Sequence, residues 1–145
     1  MTDVQAMVVD FHAKFGLPNR LGQGKPDANH ERTELRWDLI GEEYREFVLE
    51  HDERIAEYAP DGDPIFVPWV RDTANYAKEL ADLVIVSFGA AIEAGIDLNM
   101  VLRAVHASNM SKLDADGKPI YREDGKVLKG PHYSAPNIKE VLGLD

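Results

Sequence analysis

A chain of 145 residues with a formal net charge of −10 at pH 7 and no cysteine fits one domain, residues 1–145, long enough to bury a core without disulfide or metal staples. The acidic excess disfavours a groove for polyanions, so no nucleic-acid partner is expected, and the lack of thiols excludes zinc knuckles and cysteine nucleophiles. The opening MTDVQAM has no basic-then-apolar leader and the longest apolar run, near residues 83 to 92, is too short for a bilayer, so the expectation is a soluble cytoplasmic protein with no membrane partner.

Thr2 and Gln5 form a capping-box pattern, and Val4, Met7, Val8 and Phe11 follow at helical spacing, which predicts a first helix to about Phe15, ended by Gly16 and Pro18. Residues 16 to 29 are rich in glycine and proline and read as a long loop, of a length often tied to function. A second helix is predicted from Asp27 or Asn29 to about Tyr58, with Leu35, Leu39, Phe47 and Ile55 among its apolar positions, until APDGDPIFVP breaks the pattern. The third runs from Val70 or Thr73 to Glu93 and closes on Gly95. Asp97 caps a fourth, from about Leu98 to Met110, whose Met100, Val101, Ala104 and Val105 form an inward stripe. Long helices with short links predict an all-α fold, an antiparallel four-helix bundle core.

Beyond Lys112 the turns DADG and EDG bracket the strand-like PIYR, predicting a hairpin-like tail, and Pro136 opens a short terminal helix to Val141. The tail is also where basic residues keep pace with acidic ones: Lys112, Lys118, Arg122, Lys126, Lys129 and Lys139 stand against Asp114, Asp116, Glu123, Asp124, Glu140 and Asp145. The whole negative excess therefore sits in the helical region before it.

The helical region carries a pair of conspicuous acidic clusters. EEYRE supplies Glu42, Glu43 and Glu46 on the second helix, and KELAD supplies Glu79 and Asp82 on the third. At about 100° per residue, Glu43 and Glu46 share a face, as do Glu79 and Asp82, and Glu42 lies one turn from Glu46. Facing each other, the helices would gather about four or five hard oxygen ligands, which suit Mg²⁺ or Mn²⁺. A solvated acidic surface is the other reading, and it is the one that fits Glu50, Asp52 and Glu53. For the second cluster the surrounding ELADLVIVSFGAA is apolar nearly all round, a helix buried on most sides, and Lys78 is the only base within a turn. A di-iron bundle would need Glu-x-x-His pairs, and no histidine here has a glutamate three residues before it.

EEYRE and ELAD, followed after the GID turn by VHASNMSK and then by DGKPIYREDGKVLKGP, resemble the MazG-like all-α nucleoside triphosphate pyrophosphohydrolases, the superfamily of phosphoribosyl-ATP pyrophosphohydrolase and dimeric dUTPases. The similarity runs from about Arg36 to Pro131. It implies Mg²⁺, with Mn²⁺ as a substitute, held by Glu43, Glu46, Glu79 and Asp82. It implies Glu42 as the group that positions or deprotonates the attacking water, and cleavage of a nucleoside triphosphate between its α and β phosphates to monophosphate and pyrophosphate, as in housecleaning of nucleotide pools. Asn109 and Lys112 match its nucleotide and phosphate contacts, and Arg122, Lys126 and Lys129 either close over the phosphates or face solvent. A homodimer or homotetramer is expected. His106 is expected to be a partly buried core histidine, Arg36 to form an internal ion pair with the acidic helices, and Trp37, Tyr44, Trp69 and Tyr76 to serve the core rather than stack on a base. The gap between Glu46 and Glu79 is longer than in compact members, and HDERIAEYAPDGDPIFVPWVRD is expected to form a dimer contact or a pocket wall. A non-catalytic acidic helical module that senses nucleotides or binds partners is the alternative.

Overall fold

Local caps fix where most of the helices begin and end. The computed structural model describes residues 3–58, 60–70 and 72–144, with 51–58 and 64–70 described by backbone alone. The elements are α1 (Val4–Phe15), α2 (His30–Leu49), β1 (His51–Tyr58), β2 (Pro64–Val70), α3 (Thr73–Ala94), α4 (Leu98–Met110) and α5 (Ile138–Leu142). Asp3, Asn29, Asp72, Asp97 and Asn137 are the N-caps, each accepting a backbone N–H of the first turn. For α1 the cap is Asp3, one residue later than the expected Thr2, which lies outside the described residues; an aspartate there does the same work with a charged acceptor.

The all-α bundle expected from the sequence is the core of the fold, with α2 and α3 as its antiparallel centre and α1 packed on α3. Val8, Phe88 and Ile92 form the buried cluster, joined by Val4, Val9, Leu21, Ile85 and Leu98. The second helix stops at Leu49, not at Tyr58. The chain then forms an antiparallel hairpin in which His51 pairs with Val70 and Tyr58 with Pro64. The physical reason lies downstream: PDGDP cannot continue a helix, and IFVPWV, rich in strand formers, needs a partner for its backbone groups, which the preceding segment supplies. Pro68 is tolerated because a two-stranded ribbon consists of edges. The side chains of Asp52, Glu53, Ile55 and Trp69 lie outside the described residues.

The long loop does structural work. Arg20 N–H donates to Ile92 O at 3.1 Å and Asp27 N–H to Ala94 O at 2.8 Å, so residues 16 to 29 strap the C-terminal end of α3 and satisfy carbonyls the helix leaves open. Gly95, at φ 76°, lies so close that a Cβ there would sit 3.1 Å from Arg20 O.

Helix α4 departs from expectation. It leaves α3 at a bend of 114° rather than folding back along it, and of its expected inward stripe Met100 and Val105 are exposed while Val101 and Ala104 are half-buried. Only Ser108 is buried on α4, and His106 is exposed rather than lodged in a core. Leu80 and Val84 on α3, Leu35, Trp37 and Tyr44 on α2, and Met7 and Phe11 on α1 are exposed as well. Trp37 and Tyr44 are thus not core residues, whereas Tyr76 is half-buried and stacks against Phe47 with ring centroids 5.5 Å apart. Among the described residues no single helix is long and apolar enough to cross a membrane.

The hairpin-like tail is present. Tyr121 and Val127 form an antiparallel bridge around a turn closed by Gly125 N–H to Arg122 O at 2.9 Å. It is fastened to the end of α4 by Ser108 Oγ donating to Ser134 O at 2.8 Å, and by Gly130 N–H donating to Lys112 O at 2.9 Å. A Cβ on Gly130 would lie 2.3 Å from Leu113 O, closer than any side chain allows. Gly130→Ala is therefore expected to unfasten the tail while the helices stay folded. Hydrogen exchange at the Ser134 amide, which bonds to Ser111 Oγ at 2.9 Å, should speed up at least tenfold with little change in helical circular dichroism.

Candidate active site

Heptad-like spacing on two antiparallel helices produces the site. Glu43 on α2 and Glu79 and Asp82 on α3 each present a carboxylate oxygen, and the three oxygens lie within 4.8 Å of one another. Glu79 is buried, and Glu43 and Asp82 are half-buried. One oxygen of Glu43 and one of Glu79, both Oε2, are buried without a hydrogen-bond partner. Unpartnered carboxylate oxygens in a partly desolvated cleft are costly, and a hard divalent cation is the ligand that would satisfy all of them at once.

The cleft's electrostatics agree with its geometry. Burial of the Glu43 carboxyl is the largest cause pushing its pKa up, followed by the negative charges of Asp82 and Glu46, with Lys78 opposing. Lys78 brings a cation to the cleft, its Nζ lying 2.8 Å from Asp82 Oδ2 and 3.0 Å from Glu79 Oε1. These bonds, the one to Asp82 foremost, raise the Lys78 pKa. Its ammonium stands against the same carboxylates that a metal ion would engage. The signal was available in the sequence, because Lys78 and Asp82 are four residues apart on one helix.

Not every expected site residue joins the cluster. Glu46 is exposed and falls outside the group of three oxygens, although its charge is felt at Glu43, and Glu42 is exposed one position before Glu43. Asn109 and Lys112 do project together, with Lys112 Nζ donating to Asn109 Oδ1 at 2.7 Å. They sit at the far end of α4. With the 114° bend, a rise of about 1.5 Å per residue puts Asn109 on the order of 20 Å from Asp82, beyond the reach of its side chain. Arg122 is held bidentately by Asp124, and Lys129 lies over the Tyr133 ring, 4.3 Å from its centroid. Lys126 is exposed, and its backbone N–H completes the same turn on Asp124 at 3.1 Å.

Two partners of Arg36, His12 and Glu93, escaped sequence reasoning. His12, Arg36 and Glu93 are all buried and interact across α1, α2 and α3, with Arg36 Nη2 donating to Glu93 Oε1 at 2.7 Å. Arg36 does form the expected internal ion pair, yet its partner is not one of the two acidic clusters. Nothing local marks Glu93 as that partner, because the pair spans 57 positions. A groove of about 440 Å³ runs beside α2, lined by Thr33, Glu34, Trp37, Ile40 and Ala90 among others, and none of the clustered carboxylates faces it.

A family model described as phosphoribosyl-ATP pyrophosphohydrolase matches residues 8–109, which take in Glu42, Glu43, Glu46, Glu79, Asp82 and Asn109 but stop short of Lys112. No curated protein matches the chain.

The raised Glu43 pKa has a definite sign for stability. The native state binds more protons than the unfolded one from the ordinary glutamate value of 4.5 upward to the raised value, so this group's contribution to stability falls as pH rises through that window. In metal-free protein at pH 7, Glu43→Gln is expected to raise the melting temperature by a few degrees, and the gain should vanish toward pH 4. Thermal melts of both proteins across pH, in the presence of a chelator, check this; a Glu43→Gln variant less stable at pH 7 than at pH 4 relative to the parent contradicts it.

Proposed function

The chain belongs to the phosphoribosyl-ATP pyrophosphohydrolase family, within the MazG-like all-α superfamily, and from that premise of nucleotide pyrophosphohydrolysis we propose that it cleaves a nucleoside triphosphate between the α and β phosphates with Mg²⁺ or Mn²⁺. The observation that carries this reading is the convergence of Glu43, Glu79 and Asp82 within 4.8 Å, with orphaned oxygens on two of them. A divalent cation held there would supply the acidity of a bound water and the charge that neutralises phosphate oxygens. Glu43, Glu79 and Asp82 would supply the charge that holds it, with Glu46, one turn along α2 on the exposed side, as a fourth carboxylate. Glu42, one position before Glu43, would take the proton of the attacking water. Lys78, once released from the carboxylates, offers an ammonium to the phosphates at the same mouth.

Phosphorus NMR of the products tests the bond cleaved: monophosphate and pyrophosphate are expected from a panel of canonical and modified triphosphates. Orthophosphate as first product, or no turnover with Mg²⁺ and Mn²⁺, contradicts the proposal and leaves a non-catalytic nucleotide-binding module. Glu42→Gln should lower kcat by about 10²- to 10⁴-fold at nearly unchanged metal affinity.

A second copy of the chain belongs to this reading. The accessible surface is 10402 Å², against about 7,500 Å² for a compact monomer of 16.2 kDa, and the excess is of the size that obligate interfaces bury. Exposed Leu80, Val84, Met100 and Val105 are apolar residues of α3 and α4 that a partner would cover. With Asn109 and Lys112 far from the carboxylates of their own chain, a partner's α4 is the route by which that pair reaches the phosphates. Mixing inactive Glu43→Gln with inactive Lys112→Ala, after exchange of subunits, should restore up to about a quarter of parental activity as hybrids form. Mixtures that stay at the activity of their components place Lys112 and Glu43 in one chain's site.

A further inference from the structure

The cluster of carboxylates lies on a seam whose other end carries the opposite arrangement. Arg36 and Glu43 are seven residues apart on α2 and so share a face to within about 20°; Asp82 and Glu93, eleven apart on α3, do the same. The face of α2 that presents Glu43 to Glu79 and Asp82 therefore presents Arg36 to Glu93, at 2.7 Å, with both side chains less than a tenth exposed. A second hydrogen of Arg36 Nη2 reaches His12 Nε2 at 3.1 Å. The other ring nitrogen, Nδ1, lies 2.6 Å from Pro18 O, which can only accept, so Nδ1 carries the hydrogen and Nε2 is the acceptor of a neutral ring. Three helices meet at one guanidinium, and the strap loop joins them through the far side of the His12 ring.

Two details mark this as a fitted arrangement. A Cβ on Gly89 would stand 2.9 Å from Arg36 Nη1 and 3.5 Å from His12 Nε2, so only glycine lets the guanidinium lie against α3. Arg36 Nε is buried without a partner, a cost that a surface ion pair would avoid. Replacing a buried pair by apolar side chains of like volume is often neutral for stability, so stability alone does not account for the pair; its directional bonds do set how two helices sit on one another. The like charges of Glu43, Glu79 and Asp82 push α2 and α3 apart, and the pair at the other end of the seam resists that push.

We propose that His12, Arg36 and Glu93 form a positioning device for the carboxylate cluster: they fix the register and rotation of α2 on α3, and through that the affinity of Glu43, Glu79 and Asp82 for a divalent cation. The affinity half rests on the metal reading given above; the register half does not. None of the three belongs to the carboxylate cluster, and the role assigned to them is positioning.

The test uses the full chain. In Arg36→Met/Glu93→Met the pair becomes apolar at similar volume, and helical content and melting temperature are expected to hold. Mn²⁺ affinity, read by calorimetry on metal-free protein without nucleotide, should fall at least tenfold. Because the chain has no native cysteine, spin labels at Arg45→Cys and Ala81→Cys, diluted with unlabelled protein, read the α2 to α3 distance without Mn²⁺; the double variant should give a shifted or broadened distribution. A folded double variant with parental Mn²⁺ affinity and parental distances overturns the proposal. If the double variant does not fold, Gly89→Ala decides, because it displaces the guanidinium and substitutes none of the carboxylates: weaker Mn²⁺ binding and altered distances support the proposal, and parental values for both overturn it. A parental protein that binds no Mn²⁺ refutes the metal reading and with it the affinity half, while the label distances still support or overturn the register half.

Discussion

Repulsion among Glu43, Glu79 and Asp82 is the constraint around which the molecule is arranged. Three carboxylates cannot be gathered in a partly dry cleft unless something else holds their helices together, and the chain meets that demand in two places. Lys78 lies against two of the three at the mouth of the cleft, where its ammonium remains open to solvent. Deeper in the fold, the apolar cluster of Val8, Phe88 and Ile92 and the Arg36–Glu93 pair clamp the end of the seam that carries no chemistry. Close packing and the carboxylates are thus segregated along α3: its last two turns are almost wholly buried, and Glu79 is the one buried residue of its first half. A site that must admit a charged substrate and then release product is better placed at the loose end than at the tight one.

The open face also explains why so few side chains are fully buried. Helix α4, turned away by 114°, does not close the bundle, and the tail is tied to α4 rather than to the α2–α3 pair. Two partly independent bodies result: a clamp built from α1, the strap loop and the α2–α3 pair, and an arm built from α4 and the tail. The arm holds its own polar groups in order. Asp114 Oδ1 accepts the backbone N–H groups of Asp116 and Lys118, Asp124 holds Arg122, and Ser134 is bonded to Ser111. It is joined to the clamp at its root, where Leu98 packs on the buried cluster and Asn99 Nδ2 donates to Asp3 Oδ1 at 3.0 Å.

Features encoded over a few residues were legible from the sequence alone. Asn29, Asp97 and Gly95 end their helices where capping chemistry puts them, and Glu79 and Asp82 fall on the one face their spacing dictates. The turn at Gly125 was legible for the same reason. What could not be read was anything set by distant residues. HDERIAEY contains no helix breaker, and only the pairing demand of the segment after PDGDP turns it into β1. The stripe on α4 has sound helical periodicity, but periodicity says that a face will be covered and not by what; within this chain it stays largely uncovered. Glu93 looks like the last acidic residue of an apolar helix until Arg36 arrives from 57 positions away. Glu46 shares a face with Glu43 on paper, yet the α2–α3 packing brings only Glu43 within reach of Glu79 and Asp82.

The hairpin between Leu49 and Thr73 separates length from geometry. Its strands pair with each other, so the chain leaves the end of α2 and returns to the start of α3 at nearly the same point, whatever the number of rungs between. Rungs can be gained or lost in pairs without turning either helix, because the clamp at the opposite end of the seam sets their rotation. The ribbon begins one turn beyond Glu46, at the mouth of the cleft, where a change in its reach alters what can approach the carboxylates. A lineage can therefore vary this segment to change which molecules are admitted while the acidic seam itself goes unaltered. In this fold the place for change and the place for chemistry are adjacent in space but mechanically uncoupled.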